Sequence, residues 1–292
     1  MTCVEVFAGM GAFSLGMTKA GYCHRLLVEK DKACVETLLK NGFGNVLHAD
    51  VKDVDFRPYV GVDICCGGVP CQAWSIAGKK KGSADIRNLW PEALRCVREC
   101  QPRFFMFENS AAMLTDRHIG YLNELVTKFE ELGFVVSKHV VNAMNYAVPQ
   151  RRRRLLLIGR RENERFFPPP PEASQISVRD VFDSLGPPNP DIDGHAVHAG
   201  AKVYKGHGPS LMWKPSKALV SGVHGVGGGT CTVQLDDGSV RYYTPREMAR
   251  LMTLPDDYIL PHVWSVCVRQ LGNACPVELV RRFASGFTRA RA

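Results

Sequence analysis

Cys71, Glu108 and the run Arg151-Arg152-Arg153-Arg154 are the residues of this chain best suited to do chemistry. Cys71 stands in Pro70-Cys71-Gln72, just after the apolar run Val62-Asp63-Ile64-Cys65-Cys66-Gly67-Gly68. A β-rich run that ends in glycines and a proline predicts a buried strand breaking into a loop. Glu108 closes a second apolar run, Phe104-Phe105-Met106-Phe107, and is followed by Asn109. Ligands of an open α/β sheet bind at the carboxyl ends of its strands. A thiol, an acid and guanidinium groups gathered there make a covalent-catalysis constellation. One cysteine among eleven is more often a buried small hydrophobe. The company of Glu108 and the arginines is what favours a nucleophile.

Such side chains need a sheet to hold them. Short β-rich runs at 4–7, 24–29, 46–49, 62–66 and 104–108 alternate with helical patterns at 12–20, 32–41, 88–100 and 119–132. That alternation predicts a doubly wound, mostly parallel α/β sheet. Runs at 134–141 and 155–159 follow with little between them, which predicts an antiparallel closing pair. Composition then shifts at Pro168-Pro169-Pro170-Pro171, and glycine is densest at Gly225-Val226-Gly227-Gly228-Gly229. Residues 162–241 are therefore expected to form a small second domain of loops and short strands. It would be flanked by a catalytic and cofactor-binding domain at 1–161 and a segment at 242–292 that completes it. A helix over 245–254 should open on Thr244 as N-cap with Pro245 in its first turn, and a last amphipathic helix should span 276–287.

Length, at 292 residues, suits one large domain with a small companion. No apolar stretch is long enough to cross a bilayer, and the first strand begins without a basic leader, so the chain is expected in the cytoplasm, or the nucleus of a eukaryote, with no membrane partner. The net charge of +8 suits a polyanion without requiring one. The odd cysteine count and the lack of Cys-x-x-Cys point to reduced thiols and no structural zinc. His195, His198, His207 and His224 lack metal-ligand spacing and are expected at the surface or near phosphate. Gly9, Gly11 and Gly16 form a glycine-rich strand-to-helix turn, with Glu29 closing the next strand. A dinucleotide fingerprint would place glycine where Ser14 stands, so the turn alone leaves a cofactor cradle and a packing turn both open.

In order along the chain, Phe7-Ala8-Gly9-Met10-Gly11, Glu29, Asp50, Pro70-Cys71-Gln72, Glu108-Asn109, Gln150 through Arg154, Arg246-Glu247 with Pro255-Asp256-Asp257-Tyr258, and Gly272-Asn273-Ala274 resemble the motifs of the DNA (cytosine-5) methyltransferases. The stretch from about 162 to 241 has no strong match, and the resemblance implies that it is the target-recognition domain. The resemblance implies a Rossmann-like fold that binds S-adenosylmethionine and releases S-adenosylhomocysteine. It also implies that Phe7 stacks on adenine, Gly9 and Gly11 admit the methionine portion, Glu29 binds the ribose hydroxyls and Asp50 the adenine amino group. Pro70 belongs to the same cofactor set, and Asn273 approaches the methionine end. The partner implied is double-stranded DNA, bound by a monomer.

Carbon 5 of cytosine is a poor nucleophile, so its methylation needs prior attack at carbon 6, for which a thiolate is suited. The resemblance gives that role to Cys71, with Glu108 as the acid at N3. Arg152 and Arg154 fill the two arginine positions, and Arg154 is expected at cytosine O2, orienting Glu108. Arg151 and Arg153 should alternate to the opposite face if the segment is extended. Gln72, Ser75, Lys79, Lys80, Lys81 and Arg87 belong to a loop that would close over DNA. The target base must leave the stack to be reached. The competing readings are a tRNA cytosine-5 methyltransferase, whose Cys-Phe-Thr segment does not occur here, and a silent DNA-binding relative, which Cys71, Glu108 and Arg154 disfavour.

Overall fold

The computed structural model describes residues 1–70, 87–203, 208–221 and 231–288. Among them a seven-stranded sheet forms from β1 (Thr2–Val6), β2 (Cys23–Glu29), β3 (Val46–His48), β4 (Ile64–Gly68), β5 (Phe104–Ser110), β6 (Val135–Asn142) and β8 (Arg153–Arg160). The order is β3-β2-β1-β4-β5-β8-β6. Strands β1 to β5 are parallel, and β8 runs antiparallel to both β5 and β6, the closing pair read from the sequence. The fold is the Rossmann-like α/β sheet that the alternation of runs predicts.

Strand order reverses between β1 and β4, because the chain first winds outward through β2 and β3 and then returns to build β4 and β5 on the other side. A crevice opens at such a switch point, outside the carboxyl ends of the strands. Phe7, Glu29, Pro70 and Glu108 all lie there, at or just past the ends of β1, β2, β4 and β5.

Both faces of the sheet are covered, which is why its central strands read as near-continuous apolar runs. Phe105 and Phe107 point to one face with Trp90, Leu122 and Phe129; Phe104 and Met106 point to the other with Leu279 and Phe283. Burying each such aromatic is worth about 1.5–3 kcal/mol. The flanking helices include α1 (Ala12–Lys19), α2 (Lys32–Lys40), α3 (Trp90–Cys100) and α4 (Ile119–Glu131).

The carboxyl-terminal elements are α6 (Pro245–Leu251), α7 (Trp264–Asn273) and α8 (Val277–Ala284). Helix α8 returns to α1 so closely that a Cβ on Gly16 would sit 2.6 Å from Val280 Cβ. Helix α6 starts as expected: Thr244 Oγ1 accepts from Glu247 N–H at 3.1 Å and Glu247 Oε2 accepts from Thr244 N–H at 2.8 Å. It stops at Leu251, three residues short of the expected end, and Thr253 turns the chain with a φ of 59°.

Short elements fill the segment between. Strand β7 (Gln150–Arg151) precedes it, followed by β9 (Arg165–Phe166), α5 (Val178–Leu185), β10 (Ser210–Leu211), β11 (Ser216–Lys217), β12 (Thr232–Gln234) and β13 (Val240–Tyr242). Its apolar residues, Val181, Phe182, Met212, Leu219 and Val233, share one core with Met248, Leu251 and Leu271 of the carboxyl-terminal helices and with Met10 and Ala12. The core does not break at 241/242. No described helix is long and apolar enough to cross a membrane.

Candidate active site

A cavity of about 280 Å³ occupies the switch-point crevice. One side carries Phe7, Gly9, Glu29 and Asn273; the other carries Pro70, Glu108 and Arg154.

The first wall is built on the turn after β1. Phe7 and Gly9 have φ of 61° and 57°, and Gly11 has a φ of 90° as the N-cap of α1. At Phe7 the left-handed backbone is strain of the kind stored at ligand sites. Glu29 holds the turn: its Oε2 accepts from Gly9 N–H and its Oε1 from Asp31 N–H, both at 2.7 Å. A carboxylate has about four acceptor positions, so capacity remains toward the cavity. A Cβ on Gly9 would meet nothing within 4 Å, so the turn faces open space there.

Gly11 behaves differently. A Cβ there would lie 2.7 Å from Leu38 Cδ2 and 2.8 Å from Tyr258 Oη, away from the cavity, so its lack of a side chain serves packing rather than ligand approach. Asp50 is also off the wall. Its Oδ1 caps a short 3₁₀ turn by accepting from Lys52 N–H at 3.1 Å, and its Oδ2 faces Lys30 Nζ at 3.5 Å. Asp31, which the motif reading missed, does line the cavity. It caps α2 through Ala33 and Cys34 N–H, and Arg269 from α7 bonds it at 2.5 Å, which holds its carboxyl below the usual range. The Asp directly before a helical run was the available signal.

The second wall follows from strand register. Gly68 pairs with Glu108, and Ser110 with Arg154, so Glu108 and Arg154 are diagonal neighbours on one face. Arg154 Nε stands 2.5 Å from Glu108 Oε1, and a Cβ on Gly68 would lie 3.3 Å from Glu108 Oε2. Asn109 Nδ2 donates to Val69 O at 3.2 Å, and Val69 N–H donates to Glu108 O at 3.0 Å. The strand carrying the acid thus fixes the residues that lead into Cys71. Cys71 itself, with Gln72, Ser75, Lys79, Lys80 and Lys81, lies outside the described residues. Arg87 stands at the turn into α3, not on the cavity wall.

The arginine run alternates as expected, with Arg151 and Arg153 exposed and Arg152 buried. Arg152 departs from the catalytic role expected of it. Its guanidinium donates to Leu219 O at 2.8 Å, Gly272 O at 2.8 Å and Ala274 O at 2.9 Å. Arg152 lines the cavity, and these bonds to main-chain carbonyls tie Leu219 to the end of α7. Arg246, buried in α6, likewise donates to Asp193 O and Tyr258 O. His195 is buried rather than at the surface, its Nδ1 2.9 Å from Thr244 Oγ1.

Two other cysteines line the cavity. Burial pushes the Cys34 thiol up to about 12 and the Cys275 thiol well above its ordinary value, so neither offers a thiolate near neutral pH. Cys100 is drawn down to about 5 by hydrogen bonds from Cys65 and Cys96, but it is the last residue of α3, buried in the core away from the cavity lining.

Sequence comparison decides the family. The profile of C-5 cytosine-specific DNA methylases matches residues 1–186 and 200–288. The chain belongs to that family. It is thereby a DNA cytosine-5 methyltransferase, with S-adenosylmethionine as methyl donor. This methylase is 32% identical to the type II methyltransferase M.PspPI of Psychrobacter sp. over 94% of the chain and 76% of the relative. Its 36% identity to M.NgoMIV of Neisseria gonorrhoeae spans 51% of the chain and only 48% of that relative's length. A solved structure of DNMT2 from Spodoptera frugiperda shares the fold at 16% identity, with a TM-score of 0.76 over 96% of the methylase and 97% of that chain.

Proposed function

We propose that this methylase acts on a cytosine extruded from a short sequence in duplex DNA, through a covalent adduct with Cys71. The observation that carries the reading is the Glu108–Arg154 pair lining the same cavity as Glu29, with Val69 bonded to the Glu108 strand immediately before Pro70 and Cys71.

The cavity fits the donor. Phe7 offers an aromatic surface for adenine, Glu29 has acceptor capacity for ribose hydroxyls, and the empty space at Gly9 admits close approach of the cofactor. Asn273, exposed at the end of α7, reaches the same space. S-adenosylmethionine supplies an electrophilic methyl group.

Cys71 Sγ bonds to carbon 6 and pushes electron density onto N3 and O2. Glu108 donates a hydrogen bond or proton at N3, and Arg154 stabilises O2 while holding Glu108 in place. The enamine formed makes carbon 5 nucleophilic, so the carbon 5–methyl bond forms as the donor's sulfur–methyl bond breaks. Loss of the carbon 5 proton then returns electrons to expel Cys71 Sγ. Gln72, Ser75, Lys79, Lys80, Lys81 and Arg87 contact DNA, and the methylase works as a monomer in the cytoplasm, within a restriction-modification system, a reading favoured by its similarity to type II methyltransferases.

Incubation with tritiated S-adenosylmethionine and duplex DNA, single-stranded DNA or tRNA, followed by mapping of the label, tests the reading. Label at carbon 5 of cytosine within one duplex sequence is expected. Label confined to tRNA, or found on an exocyclic nitrogen, would overturn it.

A further inference from the structure

Strand β7, which opens the arginine run, pairs in parallel with β11 in the recognition segment, and the register sets Arg151 beside Lys217. Like charges side by side on neighbouring strands repel. Lys214, exposed, joins them around a cavity of about 190 Å³ whose remaining polar walls are Ser210 and Gln234. No carboxylate lines this cavity among the described residues. Lys217 Nζ donates to Gly208 O at 2.6 Å, which fixes its stem across the opening.

Several exposed or half-exposed arginines elsewhere are paired with acids. Arg57 faces Asp55, Arg250 faces Asp256, and Arg269 faces Asp31. Of the two acids of the nearby hairpin, Asp236 is held by Arg179 at 2.5 Å and Asp237 accepts from Ser239 N–H and Oγ. This concave site gathers three cations with no acid among the described residues that line it, and an anion is the partner that would relieve it.

We propose that this notch binds a backbone phosphate of the substrate DNA. The assignment rests on the reading above, that the substrate is duplex DNA. Arg151 precedes Arg154 by three residues, about 10 Å of extended chain at ~3.3 Å per residue. At ~3.4 Å rise per nucleotide on one strand, that is roughly three nucleotides from the extruded cytosine. A phosphate clamped there fixes the register of the duplex against the catalytic pocket without reading its sequence. It also stands where β11 meets β7, the strand just before Arg152 and β8 with Arg154.

The test is the salt dependence of duplex binding, followed by fluorescence anisotropy, for the wild type, Arg151→Ala, Lys214→Ala and Lys217→Ala. Each substitution should flatten the log–log slope by about 0.9 and weaken binding to target and non-target duplexes by the same factor. Arg151→Lys should restore most of the slope. S-adenosylmethionine affinity serves as the folding control, and Lys214→Glu, at an exposed position, gives a charge reversal that the fold tolerates. A wild-type slope in folded Lys214→Glu and Arg151→Ala would overturn the notch. Discrimination lost only for the target sequence would overturn it too, since it would make these residues readers of bases. Failure of the wild type to methylate any duplex would instead sink the reading of the substrate and is scored separately.

Discussion

The two sides of the molecule are organised differently. At the edge of the seven-stranded sheet, each functional side chain is aimed by its own strand: Glu29 ends β2, Glu108 lies near the end of β5, and Arg154 is set against it by the β5/β8 register. In the segment between 162 and 241 the strands are two or three residues long, and long-range clamps do the positioning. Gln150 Oε1 accepts from Leu219 N–H at 3.1 Å, Arg152 takes Leu219 O, and a Cβ on Gly272 would lie 2.2 Å from Ser221 N. Residues 219–221 are thus pinned between the catalytic strand and the cofactor wall. The proposed chemistry lies on the rigid edge; the segment expected to read DNA hangs from it by side-chain to main-chain bonds.

If that division is right, changes at the edge should strike turnover and changes at the clamp should strike stability and DNA binding. The largest effect is expected from Glu108→Gln, which keeps the shape but removes the acid. kcat in a methyl-transfer assay should fall by roughly 10²–10⁴ with S-adenosylmethionine affinity unchanged. Equal losses in both would place Glu108 in the cofactor site instead. Arg152→Met should cost about 3 kcal/mol of stability in chemical denaturation, because it strands buried carbonyls at Leu219, Gly272 and Ala274. The exposed Arg153→Ala should stay within about 0.5 kcal/mol.

Glu29→Ala should weaken S-adenosylmethionine by roughly 1.5–3 kcal/mol in a titration without DNA, through loss of charge-assisted bonds to the ribose and of the bond to Gly9. Gly272→Ala should cost about 1–3 kcal/mol by driving a methyl group into the Ser221 backbone. Its DNA affinity should suffer more than its cofactor affinity. The smallest effect belongs to Asp50→Asn, whose carboxylate faces Lys52 and Lys30 rather than the cavity. A tenfold loss of cofactor affinity there would restore Asp50 to the site.

The same division explains what could be read from the sequence. A strand end fixes a side chain's direction locally, so the positions of Glu29 and Glu108 are legible from apolar runs that stop at a polar residue, whereas Arg154 stands at the start of its run and was placed by the resemblance. The parallel sheet and its antiparallel closing pair are legible for the same reason. The clamp made by Arg152 is not legible because the carbonyls it bonds are 67 residues or more away in the chain. Gly11 was misjudged because a glycine needed for Leu38 and Tyr258 looks like one needed for a ligand. His195 reads as a surface histidine until Thr244 is brought to it by α6. Arg269 has no local signal, since its contact with Asp31 joins α7 to the start of α2 across 238 residues.

The central claim is the covalent step, and trapping tests it most directly. A duplex carrying 5-fluorocytosine at the target cannot lose the carbon 5 substituent after methyl transfer, so the protein should stay joined to it through denaturing electrophoresis. The account predicts one adduct per duplex, dependent on S-adenosylmethionine, with the modified peptide containing Cys71 by mass spectrometry and no adduct from Cys71→Ser. Methyl transfer by Cys71→Ser at a rate near that of the wild type, or an adduct mapping to Cys34 or Cys275, would contradict it.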